Sequence, residues 1–188
     1  MAEFSNRPER VVSFKCLDLV RTPPKGGLRG IITCEKSIGT FTHYWGGKTV
    51  PCGGSLCDAC EGKAAKRWHS YFSLLTPNPS KHVLVEIPLA ASEELWAWED
   101  KHQSIRDTNV VLARRGDRDN GRVSILLSNA TAGKFVLPLQ PDIEQQLRVI
   151  WGLDLREQLA ATHDDDAEKL AAAVREIRGT NVNPTVDH

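Results

Sequence analysis

Long apolar runs are missing from this sequence, and with them the simplest routes into a membrane. No stretch approaches the roughly 18 consecutive apolar residues of a membrane span, and the opening Met1-Ala2-Glu3-Phe4-Ser5-Asn6-Arg7-Pro8 holds no apolar leader. A soluble, non-secreted protein is expected. Net charge is missing too: 24 Lys and Arg balance 24 Asp and Glu, so the whole-chain charge does not announce a nucleic-acid binder. Catalytic signatures are also absent. There is no Gly-x-Ser-x-Gly, no Walker phosphate loop and no His-Glu-x-x-His, and the His-x-Glu plus Pro-Cys-x-x-Cys pair of nucleobase deaminases is not matched. A non-enzymatic role is expected.

What is present fits an ordinary folded domain. With 188 residues, 40% hydrophobic and 26% charged, the chain has room for one domain with a decorated edge or a helical tail, and two full-sized domains are not expected. The charge is unevenly spread. Residues 1–82 carry twelve Lys/Arg against six Asp/Glu, whereas residues 83–188 carry twelve against eighteen, which predicts a basic surface built by the N-terminal half.

Periodicity places strands first. Val11–Val20 alternates as a half-buried strand and is broken by Thr22-Pro23-Pro24-Lys25-Gly26-Gly27. Leu28–Lys36 and Thr40–Trp45 read as two more strands, joined at Ser37-Ile38-Gly39 by a tight hairpin in which Gly39 supplies a positive φ. Trp68–Leu75 and His82–Ile87 form another pair across a turn rich in breakers, and Asn109–Ala113 and Arg122–Leu127 a third, turning at Asn120-Gly121. Between the last two pairs, Ser92–His102 reads as a helix capped by Ser92 with an acidic first turn. Ile143, Leu147, Ile150 and Trp151 fall at helical spacing, and 165–178 reads as an Ala-rich helix ending at Gly179. This order predicts an α+β, mainly β fold: an OB-like, partly open β-barrel over 1–140 with a zinc-binding loop, a C-terminal helical extension over 141–180 and a mobile tail over 181–188.

The sharpest signal is Pro51-Cys52-Gly53-Gly54-Ser55-Leu56-Cys57-Asp58-Ala59-Cys60-Glu61-Gly62. Residues 46–62 have almost no aliphatic bulk, so burial cannot hold them, and three cysteines among Gly and Ser have no core to join. Thiolate ligation accounts for them. A Cys-x2-Cys turn presents two sulfurs to one Zn²⁺, Cys52 adds a third, and His43 at the end of the preceding strand closes the set, with His69 and Cys34 as the rival fourth ligands. A structural zinc is therefore expected at His43, Cys52, Cys57 and Cys60. Five cysteines in a non-secreted chain argue against a disulfide framework, and Cys16 and Cys34 are read as plain buried thiols in strands.

Aromatic and basic residues crowd around that loop. Phe41, Tyr44 and Trp45 precede it, Trp68 and Tyr71 follow it, and Lys36, Lys48, Lys66 and Arg67 lie among them. Aromatic faces stack on unpaired bases while cations follow the phosphates, so this is the composition of a single-strand groove. Strand alternation sends Tyr44 opposite to Trp45 and Trp68 opposite to Tyr71, so part of the set must face the core. Arg114, Arg115, Arg118 and Arg122, around the tip of the last hairpin, are added as phosphate contacts; alternatively, Asp117 and Asp119 pair with them.

The run His43-Tyr44-Trp45, then Cys52, then Cys57-Asp58-Ala59-Cys60, followed by a Lys-rich step into Trp68-His69-Ser70-Tyr71-Phe72, resembles the zinc-bearing OB core of the T-even-phage type single-stranded DNA-binding (helix-destabilising) proteins. The resemblance covers roughly residues 28–130. It implies that His43, Cys52, Cys57 and Cys60 hold zinc, that single-stranded DNA lies in a basic, aromatic cleft, and that the work is replication, recombination or repair in the cytoplasm of a bacterial or phage-infected cell. Nothing in the sequence separates DNA from RNA. The alternative function is a non-catalytic zinc-stabilised interaction module, docking a protein partner through the Trp96/Trp98 helix or the C-terminal helices.

Overall fold

In the computed structural model, which describes residues 16–77, 79–118, 121–130 and 137–153, one strand has two different neighbours along one edge. In chain order the described strands are β1 (Asp18–Arg21), β2 (Leu28–Ile32), β3 (Ile38–Trp45), β4 (Lys48–Pro51), β5 (Lys66–Pro77), β6 (Ser80–Pro88), β7 (Thr108–Arg114) and β8 (Val123–Asn129). The helices are α1 (Asp58–Glu61), α2 (Leu89–His102) and α3 (Ile143–Trp151). β5 is twelve residues long and pairs with β6 along its length. On its other edge it pairs with β3 through residues 66–71 and with β2 through Leu74 and Leu75. β2 continues to β7 and β7 to β8, all antiparallel, while β1 adds to β6 in parallel. The result is a mainly β, mixed, open eight-stranded sheet with a few helices.

The interior forms where these strands are richest in bulky apolar residues. Ile32, Phe72, Leu74, Leu84, Val85, Ile87 and Leu112 are completely or almost completely buried, and α2 brings Ala91 and Leu95 to the same degree of burial. Ala91 and Ser92 lie four and three residues before Leu95, so all three fall on one helical face. Trp96 and Trp98 flank that face. Trp96 meets Trp68 edge-on at 6.2 Å, and Trp98 stacks on His102 at 4.1 Å while its indole N–H donates to Thr108 Oγ1.

Three local expectations are corrected. β2 and β3 do not form a hairpin with each other; both are partners of β5, and Gly39 is an ordinary extended residue inside β3. Helix α2 starts at Leu89, with Pro88 at its N-cap, and Ser92 lies inside it, donating its hydroxyl back to the Pro88 carbonyl. That back-bond needs a helical turn already formed, so it supports the helix interior and does not cap its end. Cys16 and Cys34 lie outside the strands, and Cys16 is only half-buried, its thiol near the Gln146 carbonyl at 3.7 Å.

The strand expected from Val11 is described only from residue 16, and the 165–178 helix, the tail beyond Gly179 and Asn120 lie outside the described residues. By internal contacts the chain divides into Met1–Ile150 and Trp151–His188, and only 151–153 of the second unit are described. Among the described residues no helix is long and apolar enough to cross a membrane.

His82 supplies a test of the interior. Its Nε2 lies 2.8 Å from Thr33 Oγ1, and burial, with Arg106 second, lowers its pKa below the ordinary histidine value. The folded state therefore keeps the neutral ring while the unfolded chain takes up a proton, and stability falls as pH drops below about 6.5. His69 is shifted in the same direction, mainly by burial. Replacing His82 with Gln should flatten the fall in urea midpoint between about pH 7 and pH 5. An unchanged slope would show that the ring does not titrate there.

Candidate metal centre and arginine cleft

The β3–β4 hairpin turns through Gly46 and Gly47, both with positive φ (57° and 80°), the two-residue turn that L side chains resist. Its register pairs Trp45 with Lys48 and Tyr44 with Thr49, and the N–H of Cys52 then bonds to the Phe41 carbonyl at 2.8 Å. Cys52 is thereby fixed beside β3. A short 3₁₀ turn (Gly54–Leu56) leads to Cys57, whose carbonyl accepts the N–H groups of Cys60 and Glu61 as α1 begins. One tight turn thus aims two sulfurs inward.

His43, Cys52, Cys57 and Cys60 each offer one ligand atom, all within 4.8 Å of one another. Cys52 Sγ is 3.7 Å from Cys60 Sγ, which is 3.3 Å from His43 Nε2. A tetrahedron with metal–sulfur bonds of about 2.3 Å has edges near 3.8 Å, shorter where nitrogen replaces sulfur, so the donor set fits one metal ion. His43 Nδ1 lies 3.1 Å from the Ala64 carbonyl. That contact holds the proton on Nδ1 and leaves Nε2 free to ligate. The thiols are unequal: Cys52, hydrogen-bonded to His43, is pulled down to about 6, and backbone N–H groups of Cys60 and Gly53 lower Cys57. Cys60, hydrogen-bonded to Cys52, is pushed up to about 11. Three adjacent thiolates repel, and a cation at their centre removes that cost.

The rival ligands are elsewhere. His69 Nδ1 lies 2.6 Å from Thr42 Oγ1, and His69 and Thr42 belong to the ladder face opposite His43. Cys34 is fully buried and accepts the Ser73 N–H.

The aromatic and basic residues divide by strand alternation. Phe41, His43, Trp45, Lys48, Lys66 and Trp68 take the metal-cluster face, since opposed residues in an antiparallel ladder share a side. Phe41 meets Trp68 edge-on at 5.0 Å, and Lys66 Nζ stands 4.6 Å over the Phe41 ring. Trp45 lies against Gly62, where a Cβ would strike its ring. Even so, Phe41 stays 45% and Trp45 42% exposed, and Tyr44, on the other face, is 69% exposed. Tyr71 is withdrawn from the stacking set, because it is fully buried and its hydroxyl donates to Glu86. Lys36 is exposed beside Glu99 of α2. Arg115 and Arg118 are exposed around the turn after β7; Asp119 and the Asp117 side chain lie outside the described residues.

The opposite face opens into a cleft of about 520 Å³ lined by Tyr44, Arg67, Arg114, Arg122 and two residues that the sequence did not single out, Arg21 and Glu86. Glu86 is buried and accepts from Arg21 Nε at 2.7 Å. Arg21 also reaches Thr49 on the hairpin. The chain matches no family model, no curated protein and no solved structure. Function therefore rests on the chemistry of these two faces.

Proposed function

We propose that the chain is a non-catalytic, zinc-stabilised OB-like module that binds single-stranded DNA, and by the same chemistry RNA, with little sequence preference. The observation that carries this reading is the exposure of Phe41, Tyr44 and Trp45 on a hairpin fastened by the His/Cys cluster, with Lys48, Lys66 and Arg67 beside them. Stacking on these rings supplies sequence-tolerant affinity, and the cations supply its salt dependence. Zinc is the metal that one imidazole and three thiolates in a closed tetrahedron favour. A long strand shared by different partners along its halves, with a helix between the strand pairs, supports the OB-like reading. The resemblance to the T-even-phage type proteins points the same way, toward replication, recombination or repair.

Trp96 and Trp98 both have partners within the chain, which weighs against a helix that offers them to another protein. A fluorescence titration with oligo-dT at two salt concentrations tests the proposal. Binding should be strong at low salt and fall steeply as salt rises, and Trp45→Ala or Phe41→Ala should each cost about 1–3 kcal/mol. No binding at low salt, or binding indifferent to salt, rejects it.

A further inference from the structure

The cleft on the far side of the hairpin carries more positive charge than a strand passing over the aromatic face needs. Four arginines from four separate elements converge on it: Arg21 at the end of β1, Arg67 in β5, Arg114 in β7 and Arg122 just before β8. Among the described residues only Arg21 is neutralised, by Glu86. Arg67, Arg114 and Arg122 make no ion pair among the described residues, so about three positive charges line a cavity of about 520 Å³. Arg114 is aimed without being neutralised, donating from Nε to the Thr22 carbonyl at 2.8 Å and from a terminal nitrogen to the Gly121 carbonyl at 3.3 Å. Such convergence of like charge is unfavourable in the empty fold and raises the local concentration of anions.

The cavity has the size of a small-ligand site. An internal phosphodiester brings one negative charge per nucleotide, too little for three guanidinium groups in so small a space. A phosphomonoester brings nearly two charges at neutral pH and three acceptor oxygens on one phosphorus, and guanidinium forks match such oxygens in pairs. Tyr44 stands at the same cleft as the most exposed of the hairpin aromatics. Its ring is placed to cover a base attached to that phosphate.

We infer that the arginine cleft is a site for a terminal phosphate, a phosphomonoester carried by the end of a single strand or by a free nucleotide. Where a strand carries the phosphate, the inference rests on the nucleic-acid reading above; the free nucleotide does not need it.

The experiment uses the full chain with 5′- and 3′-phosphorylated oligo-dT, hydroxyl-ended oligo-dT and thymidine monophosphate, followed by anisotropy and competition at fixed salt. One phosphorylated form should bind about ten-fold tighter than the hydroxyl-ended strand, the scale of a lost charged hydrogen-bond pair. Arg67→Gln combined with Arg122→Gln, both exposed positions, should abolish that preference while circular dichroism stays unchanged. A preference below about two-fold in the native chain together with no binding of thymidine monophosphate, or a preference that survives the double substitution, overturns the cleft assignment. If the strands bind without preference for the end and thymidine monophosphate does not bind, the nucleic-acid reading stands and this one falls. If no strand binds but thymidine monophosphate does, with binding lost in the double variant, the nucleic-acid reading falls and the cleft assignment stands.

Discussion

Stripping the metal, or replacing Cys57 and Cys60 together with alanine, should release the β3–β4 hairpin tip and the 52–62 loop and weaken oligo-dT binding by about a hundred-fold or more. The size follows from what the segment lacks. Of its side chains only Cys57 and Ala59 are described as buried, so the apolar burial that holds β5 and β6 together has no counterpart there. On the zinc reading proposed above, metal ligation would supply the missing free energy, which for structural zinc reaches about 10 kcal/mol or more near neutral pH. Losing the loop also removes the support of Trp45 and lets Tyr44 move, and each stacking ring is worth about 1–3 kcal/mol. The inner part of β3 remains paired with β5, so the rest of the sheet should persist. Elemental analysis should give one zinc per chain, unchanged in Cys16→Ser, whose thiol lies outside the cluster. A native chain free of metal, or one whose oligo-dT affinity survives chelation, would remove the cluster from the function.

The His/Cys cluster was legible in the sequence because its surroundings forbid the alternative. Cysteines set among Gly, Ser and Asp cannot be core residues, and the spacing already specifies a turn that presents two sulfurs together. His43 was legible from its position at the base of the loop. The arginine cleft was not, because Arg21, Arg67, Arg114 and Arg122 are scattered over a hundred residues and meet only through the topology, β1 lying parallel to β6 and the β7–β8 hairpin reaching the same side. One local signal existed. Glu86 interrupts the apolar run Val83-Leu84-Val85-Glu86-Ile87, and a carboxylate inside a buried strand needs a cation, here Arg21.

Strand pairing was legible for β5 with β6 and for β7 with β8, and misread only for β2 with β3. Alternation tells which residues share a face but does not say which edge a strand will take, and a short polar link looks like a hairpin whether or not the two strands meet. Here residues 33–37 carry the chain from one half of β5 to the other, where β2 and β3 occupy successive stretches of the same edge. The helix start failed for a related reason. Ser92 has the chemistry of a cap, but Pro88 ends β6 and fixes the first turn four residues earlier.

Gly39 turns that misreading into a test. If it served as a turn residue, its value would lie in a positive φ; in β3 it has none, and instead a Cβ there would collide with the indole of Trp68. That indole has little freedom to retreat, being edge-on to Phe41 at 5.0 Å and to Trp96 at 6.2 Å. Gly39→Ala should therefore destabilise the fold by about 1–3 kcal/mol, the usual range for overpacking. Trp68→Phe removes part of the struck ring and should itself cost stability through the space it leaves. Combined, the two should cost less than their sum, because the methyl enters space the indole has vacated, with a coupling of about 1 kcal/mol or more in urea unfolding. Additive losses would mean that the glycine is needed for its backbone and not for the room it gives Trp68. The same ladder carries Phe41 and Lys66 on the face proposed to bind a strand, so Gly39→Ala should also disturb oligo-dT binding, whereas an exposed substitution such as Glu93→Gln on α2 should leave both measurements unchanged.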